Sequence, residues 1–214
     1  MIQKPPNQTQ LSQASSNSEL AIFSKLPKTG DYLFDKAIRV VFEHEGYYSN
    51  DLDDPGGPTK WGWSLRAVQE IGDLDGDGIL DFDLDLDGDV DIDDIKQLSA
   101  DIAIQKYFDI KWKPFPYNKL GSSGIAIKAF DLSIVMGERQ AHKLLQRAIR
   151  SVNGEHLADD GIIGPKTLEA IYKCNPIPLM AAYRSEAAAF FRLLVRVRPK
   201  SEKYLNGWLN RAYY

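Results

Sequence analysis

Apolar residues recur at helical spacing along most of this chain, and this periodicity restricts the fold more than any other feature. Phe34, Ile38, Val41 and Phe42 follow one another at intervals of three and four, which places them on one face of a helix that ends near Glu45. The same reasoning predicts helices over about residues 64–71, 93–110, 122–136, 138–152, 165–173, 177–197 and 201–212. The sequence therefore predicts a mainly α protein.

Composition sets the limits within which these helices pack. The chain has 214 residues, of which 43% are apolar, enough for one substantial core. Cys174 is the only cysteine, so an intramolecular disulfide is excluded. No apolar run approaches the roughly 20 residues that a membrane-spanning helix needs, so we expect no transmembrane segment. Residues 1–28 are rich in Pro, Gln, Asn and Ser and predict a flexible leader without the apolar stretch of a secretory signal.

Charge is distributed very unevenly. Residues 73–94 contain eleven Asp and no basic residue, and removing these eleven negative charges from the net charge of −4 leaves +7 for the rest of the chain. A basic body suits an anionic polymer, although a solvated cationic surface would have the same composition. Arg184, Arg192, Arg196 and Arg198 fall on one predicted helix, for which both interpretations stay open. No phosphate-binding loop or dinucleotide motif is present, and we expect no nucleic-acid partner.

The loop after the first helix is the strongest candidate for a catalytic site. Glu45 ends the helix on its apolar stripe, where partial burial and the negative end of the helix dipole are both expected to raise its pKa. A carboxyl group that stays protonated near neutral pH can donate a proton to a glycosidic oxygen. From the residues alone, a solvated Glu at a helix end is the simpler interpretation.

The next residues predict a structured loop or short hairpin with polar groups and flat aromatic faces. Gly56 and Gly57 allow the backbone to approach a ligand closely. The polar candidates are Asp51, Asp53, Asp54 and Thr59, and the aromatic rings that suit sugars are Tyr47, Tyr48, Trp61 and Trp63.

This region, FEHEGYYSNDLDDPGGPTKWGWSLRAV, resembles the signature of glycoside hydrolase family 108, a muramidase family with a lysozyme-like fold. The residues that carry the resemblance are Glu45, Gly46, Tyr48, Asn50, Asp51, Gly56, Gly57, Thr59 and Gly62. It implies that Glu45 is the catalytic acid. The order Glu, Asp, Thr also resembles the phage-type lysozyme triad, which implies that Asp54 and Thr59 position water or stabilise the transition state, with Asp51 and Asp53 as alternatives to Asp54. The family resemblance also implies a substrate-binding surface formed by Tyr48, Asn50, Asp51, Gly57 and Trp61.

Later segments extend the resemblance over nearly all of residues 31–214. FDLSIVMGERQAHKLLQRAI resembles the family's helix pair, and DGIIGPKTLEAI and YLNGWLNRAYY resemble motifs of its peptidoglycan-binding half. We therefore expect a lysozyme-like region over 29–137 and a peptidoglycan-binding region over 138–214 that packs on it. Two positions depart from the family pattern, because Tyr47 replaces a Gly and Val135 replaces an Asn that is a plausible substrate contact.

The Asp-rich insert over 73–94 resembles calcium-binding loops. An EF-hand loop needs oxygen ligands at positions 1, 3, 5, 7, 9 and 12 and Gly at position 6. A window beginning at Asp83 satisfies this pattern with Asp83, Asp85, Asp87, Asp91 and Asp94, with Asp89 contributing its carbonyl, and it resembles the Asp-terminated loops of dockerins. A weaker window supplies Asp73, Asp75, Asp77 and Asp81 but has Leu84 at position 12. We expect one or two structural calcium ions; a single acidic coil sharing Asp83, or a solvated acidic run, are the alternatives.

Three functions follow from these patterns. The first is a peptidoglycan hydrolase that cleaves the β-1,4 bond between N-acetylmuramic acid and N-acetylglucosamine. The second is a wall-binding or scaffold module with weakened activity, which Tyr47 and Val135 favour. The third is a calcium-dependent protein-docking module formed by the insert. For the first we expect a monomer that is made in the cytoplasm and acts on the cell wall or periplasm after release by a holin or a dedicated secretion system.

Overall fold

The computed structural model describes residue 26 and residues 28–45, 48–49, 57–154 and 156–214, with the backbone only at 44, 45, 48 and 49. The described part is mainly α, which confirms the predicted fold class. The predicted flexible leader lies outside the described residues apart from Leu26 and Lys28. No helix of the described part is both long enough and apolar enough to cross a membrane.

The elements follow the predicted order. The first half contains α1 (Tyr32–Glu45), β1 (Tyr48–Ser49), β2 (Thr59–Lys60), β3 (Trp63–Ser64), α2 (Leu65–Gln69), α3 (Ile92–Gln97), α4 (Ala100–Lys106), a π-helical turn (Tyr107–Trp112) and a 3-10 turn (Tyr117–Lys119). The second half contains α5 (Ser123–Met136), α6 (Glu138–Asn153), α7 (Pro165–Tyr172), α8 (Pro176–Val197), a 3-10 turn (Pro199–Tyr204) and α9 (Leu205–Tyr213).

The first helix is fixed at its start by a side-chain cap and along its length by aromatic packing. Asp31 Oδ1 accepts hydrogen bonds from the backbone N–H groups of Leu33 and Phe34, both at 3.0 Å, which satisfies two of the free donors of the first turn. Asp31 Oδ2 accepts a third bond from Trp112 Nε1 at 3.0 Å. The Phe34 ring packs on Trp112 and Phe130 with ring centroids 5.5 and 5.8 Å apart. The beginning of α1 is thus joined to the π-helical turn and to α5.

One predicted helix is interrupted. The pattern over about 93–110 predicts a single helix, whereas the structure divides it into α3, α4 and the π-helical turn. Leu98 has ψ of 108°, outside the helical range, and its side chain is buried in the core. Ser99 then caps α4, because its Oγ accepts a hydrogen bond from Ile102 N at 3.3 Å. A buried leucine followed by a capping serine therefore breaks a periodicity that would otherwise continue.

The second half is a set of helices packed around α8. The Tyr183 hydroxyl of α8 donates to the carbonyl of Ala141 in α6 at 3.0 Å, inside the core. After α8 the chain turns back, and α9 lies along it with Trp208 stacked on Phe191 at a centroid distance of 5.2 Å. The core is continuous from α1 through α5 to α8 and α9.

A buried ion cluster joins the last helix to α5. Arg211 of α9 donates from Nε to Asp131 Oδ1 at 2.8 Å and from Nη2 to the Asp131 carbonyl at 3.2 Å. Lys128, one helical turn before Asp131 on α5, donates to the Arg211 carbonyl at 2.8 Å. All three side chains are buried, and burial lowers the pKa of Lys128, although the nearby Asp131 charge opposes the shift. α5 and α9 are therefore joined by buried polar contacts as well as by apolar packing.

Candidate active site

The proposed acid stands at the end of the first helix. Glu45 is the last residue of α1, as the sequence predicts, and the helix buries Phe34, Ala37, Ile38, Val41 and Phe42. The side chain of Glu45 lies outside the described part of the chain, as do Asn50, Asp51 and Asp54 and the side chain of Tyr48. The description of the site therefore depends on the backbone of α1 and on the sheet that follows.

The sheet brings Thr59 back beside the segment that leaves α1. β1, β2 and β3 form an antiparallel sheet in that order, and Ser49 pairs with Thr59 while Tyr48 pairs with Lys60. Ser49 is only four residues after Glu45 in the sequence, so its partner Thr59 pairs with the strand that follows α1. Thr59 is half-buried, and its Oγ1 donates to the carbonyl of Gly57 at 3.1 Å. Thr59 therefore lies in the central strand, β2, and Gly57 lies two residues before it.

A tight turn exposes part of Trp61 beside this strand. Trp61 and Gly62 form the two-residue connection between β2 and β3, and their φ angles are 54° and 78°. A type I′ hairpin needs positive φ at both positions, which is unusual for Trp. The indole ring packs on Phe42 of α1 with centroids 5.4 Å apart and stays half-buried. Trp61 is therefore held against α1, and part of its surface remains exposed.

Trp63 corrects one expectation from the sequence. Its ring was a candidate sugar-binding face, but it is buried and stacks on Tyr107 at a centroid distance of 4.4 Å. Its Nε1 donates to the carbonyl of Ala103 at 3.4 Å. The alternation of the strand explains the difference, because Trp63 faces the core whereas the turn carries Trp61.

A wide groove lies at the other end of α1. It is lined by Asp31, Phe108, Trp112, Lys113 and Phe115, among others, and has a volume of about 420 Å³. Asp31 precedes the first residue of α1, and the 14 residues of that helix span roughly 20 Å at 1.5 Å per residue. This groove is therefore distinct from the region of Glu45 and Thr59.

The second window of the Asp-rich insert brings its carboxylates close together. Asp83 accepts from the N–H groups of Asp87 and Gly88 at 3.1 and 3.0 Å, so the first carboxylate closes the turn. Asp91 and Asp94 form a capping box, and α3 begins one residue after Asp91. Ligand-capable oxygens lie within 4.8 Å of one another in two groups, Asp83 with Asp85 and Asp87, and Asp89 with Asp91 and Asp94.

Electrostatics shows that these carboxylates are crowded. Desolvation, followed by the charges of Asp87 and Asp94, raises the pKa of Asp85. The charge of Asp87, followed by desolvation, raises the pKa of Asp89. Asp94 is only 2% exposed, with both oxygens hydrogen-bonded to backbone N–H groups of Leu84 and Asp91. Carboxylate oxygens without His or Cys are the ligand type that calcium prefers in proteins.

The first window is less complete. Asp73, Asp75 and Asp77 bring oxygens within 4.8 Å of one another, and Asp73 accepts from Gly76 N and Gly78 N. Asp81, the expected fourth ligand, instead forms an ion pair with Lys106 of α4 at 2.7 Å. The positive charge of Lys106 competes with a cation at this end of the window.

The insert packs behind the sheet that carries Thr59. The ring of Phe82 contacts Trp63 of β3 with centroids 4.9 Å apart, and Phe82 and Val90 are both buried. Gln69 of α2 donates from Nε2 to the carbonyl of Val90 at 2.7 Å. The insert therefore contacts the sheet directly, through the rings of Phe82 and Trp63.

The Asp-Gly-x-x-Gly-Pro-x-Thr segment has an architectural role. Gly161 has φ of +83°, and a Cβ there would lie 2.6 and 2.7 Å from atoms of Arg139, so only glycine fits. Its N–H donates to Gln146 Oε1 at 2.8 Å, and Gln146 Nε2 donates to Asp160 Oδ1, also at 2.8 Å. His142 contacts the Gly161 carbonyl through Nδ1 at 3.2 Å and the Tyr117 hydroxyl through Nε2 at 3.1 Å. The motif therefore fixes the loop before α7 onto α6.

Comparison with known proteins identifies the regions that these elements form. Residues 38–137 match the family described as Glycosyl hydrolase 108, and residues 140–213 match the family described as Predicted Peptidoglycan domain. The solved structure of Brucella abortus SagA has the same fold, with a TM-score of 0.60 at 23% sequence identity, over 84% of this chain and 92% of that chain. No curated protein sequence matches the chain.

These matches agree with the helical architecture and confirm the lysozyme-like fold that the resemblance implied. Most of α1 and all of the sheet, the Asp-rich insert and α5 lie within the first matched region, and α6 to α9 supply the second. The match of residues 38–137 to the glycosyl hydrolase 108 family identifies this chain as a glycoside hydrolase, and the match of residues 140–213 to a peptidoglycan domain supports peptidoglycan as its ligand.

Proposed function

We propose that this protein is an N-acetylmuramidase that cleaves the β-1,4 bond between N-acetylmuramic acid and N-acetylglucosamine, with Glu45 as the general acid. The observation that carries the proposal is the position of Glu45 at the end of α1, followed by a sheet that returns Thr59 to the same end, inside the region matched to the glycosyl hydrolase family. At this position the negative end of the helix dipole favours the protonated carboxyl.

In this mechanism Glu45 protonates the leaving glycosidic oxygen while Asp54 and Thr59 orient the attacking water. Asp51 and Asp53 are the alternatives for the Asp role. Tyr48, Asn50, Asp51, Gly57 and Trp61 form the substrate surface, for which the half-buried ring of Trp61 on Phe42 gives support. The regions 29–137 and 138–214 act as the hydrolase and the peptidoglycan-binding half of a monomer that works at the cell wall or periplasm.

Purified peptidoglycan sacculi, digested and then reduced with borohydride, test the bond assignment. Reduction labels the new reducing end, and mass spectrometry identifies that sugar. We expect reduced N-acetylmuramic acid. Reduced N-acetylglucosamine would indicate a glucosaminidase, and a 1,6-anhydro product would indicate a lytic transglycosylase; either would reject the proposal.

The variant Glu45→Gln tests the acid. Gln keeps the shape of the side chain but cannot donate a proton as an acid, so we expect the rate of wall digestion to fall by roughly 10²–10⁴-fold. Glu43→Gln is the matched control, because Glu43 is exposed on the same helix. The amide oxygen of the introduced Gln can still accept the hydrogen bond that the Tyr214 hydroxyl donates to Glu43. Near-parental digestion by Glu45→Gln would place the acid elsewhere. Asp54→Asn is also expected to slow digestion, and an unchanged rate would favour Asp51 or Asp53.

The insert supplies a calcium site in the same proposal. Asp83, Asp85, Asp87, Asp91 and Asp94, with Asp89, would bind one ion, and Asp73, Asp75 and Asp77, with Asp81 opposed by Lys106, would bind a second more weakly. Calcium would neutralise the crowded carboxylates and stiffen the packing of Phe82 on Trp63. Its role is structural, because a ligand bound only by the folded state stabilises that state.

A further inference from the structure

The end of α8 and the 3-10 turn after it form a basic surface that also exposes two aliphatic side chains. We call residues 192–203 the cationic tip. Its exposed basic residues are Arg192, Arg196, Arg198, Lys200 and Lys203, against a single acidic residue, Glu202. Leu193 is 61% exposed and Val197 is 78% exposed. Charge alone does not explain why two large aliphatic side chains are exposed in the middle of a cationic surface.

The packing of α8 fixes these aliphatic side chains outwards. Leu193 and Val197 are four residues apart and share one face of the helix. The opposite face is occupied, because Phe191 stacks on Trp208, and the Tyr204 ring also packs on Trp208 at a centroid distance of 5.7 Å. The helix cannot rotate Leu193 into the core without losing the Phe191 contact.

Three of the basic residues of the tip have no ion pair within the described residues. Arg196, Arg198 and Lys200 form no ion pair there, whereas Arg147 and Arg150 of α6 both pair with Asp159. The tip thus carries a net charge of +4 from five basic residues and one acidic residue. Such a surface attracts an anionic partner.

We propose that the cationic tip binds an anionic phospholipid surface, with Leu193 and Val197 inserted at the boundary between headgroups and acyl chains. Lipid headgroups supply the negative charge, and the acyl boundary supplies an apolar environment for the two aliphatic side chains. A soluble anionic polymer would neutralise the cations but leave Leu193 and Val197 in water. The exposed aliphatic pair therefore favours the lipid surface.

Sedimentation of the full chain with vesicles tests this binding. We expect the protein to bind vesicles of phosphatidylglycerol and phosphatidylcholine but not vesicles of phosphatidylcholine alone. Arg196→Gln with Arg198→Gln should weaken binding by roughly 25-fold, since each cation near an anionic surface contributes about five-fold. Leu193→Ser with Val197→Ser should weaken it by roughly ten-fold or more, because both lose apolar burial.

Two controls separate the proposal from general effects. Ile177→Ser removes an aliphatic side chain that is 79% exposed at the other end of α8, and Lys166→Gln removes an exposed cation of α7; neither should change binding. Circular dichroism spectra and thermal melts of each variant verify folding. Absence of binding to anionic vesicles would overturn the proposal. Full vesicle binding by the Leu193/Val197 variant would also overturn it, because the contact would then be purely electrostatic. Equal losses of binding in the two control variants would overturn it as well.

Discussion

Arg211→Ala should destabilise this protein far more than the loss of any single surface ion pair. The substitution removes two hydrogen bonds to Asp131, at 2.8 and 3.2 Å, and leaves a carboxylate with no exposed surface. Breaking a buried pair by removing one partner costs about 3–5 kcal/mol. Lys128 Nζ lies 3.6 Å from Asp131 Oδ2 and compensates in part, so we expect the lower end, about 3 kcal/mol. For a chain of this size that corresponds to a fall in Tm of roughly 6–12 °C.

The assay is denaturant unfolding followed by circular dichroism, with thermal melts as a second measure. Arg147→Ala is the matched control: its contact to Asp159 is shorter, at 2.6 Å, but partly exposed, so we expect a loss of at most about 1 kcal/mol. If burial rather than distance decides the energy, the two variants will differ clearly. Equal losses, or an Arg211→Ala loss under about 1 kcal/mol, would refute the reasoning.

Three further predictions concern the insert, the buried histidine and the Gly161 turn. Asp85→Asn should weaken calcium binding measured by calorimetry and reduce the rise in Tm that calcium produces. Asp93→Asn should change neither, because Asp93 belongs to none of the carboxylate groups of the insert. Absence of binding heat in the parent protein would reject the site. Burial lowers the pKa of His142, so its contribution to stability is complete above the unfolded pKa of about 6.5 and is lost as the pH falls below it towards the folded pKa. His142→Gln should flatten the dependence of stability on pH between about 7 and 5 relative to the exposed control His156→Gln, and identical slopes would contradict this. Gly161→Ala should cost well above the roughly 1 kcal/mol expected of Gly154→Ala, since both have positive φ but only Gly161 would clash with Arg139; equal unfolding energies would show that the loop relaxes.

The sequence predicted most of the helices because their apolar stripes are long and regular, and capping residues such as Ser64 mark their starts. The Ser64 Oγ accepts from Ala67 N at 3.3 Å, at the predicted beginning of α2. The break at Leu98 was not predicted, because a buried leucine and a capping serine both fit the helical periodicity. Local pattern alone therefore identifies helices better than it identifies the interruptions between them.

Contacts between distant segments set a different limit. Asp131 and Arg211 are 80 positions apart, and an Asp within the apolar FDLS run is the one local sign that a buried partner exists. Trp61 and Trp63 look equivalent in the sequence, yet the turn leaves one half-buried and the strand buries the other. For the candidate site, the sequence predicted the end of α1 at Glu45 and a hairpin containing Thr59. The roles of these residues stay predictions.

The shared ion cluster has a consequence for exchanging parts between enzymes of this kind. A chimera that keeps residues 29–137 and receives a foreign binding half would leave Asp131 and Lys128 facing whatever surface replaced α9. Unless the donor half offers a guanidinium at the same place, the graft would bury an unpaired carboxylate beside an ammonium. The junction near Gly137 thus looks like a convenient point of exchange in the sequence, while compatibility is decided 74 residues later, at Arg211.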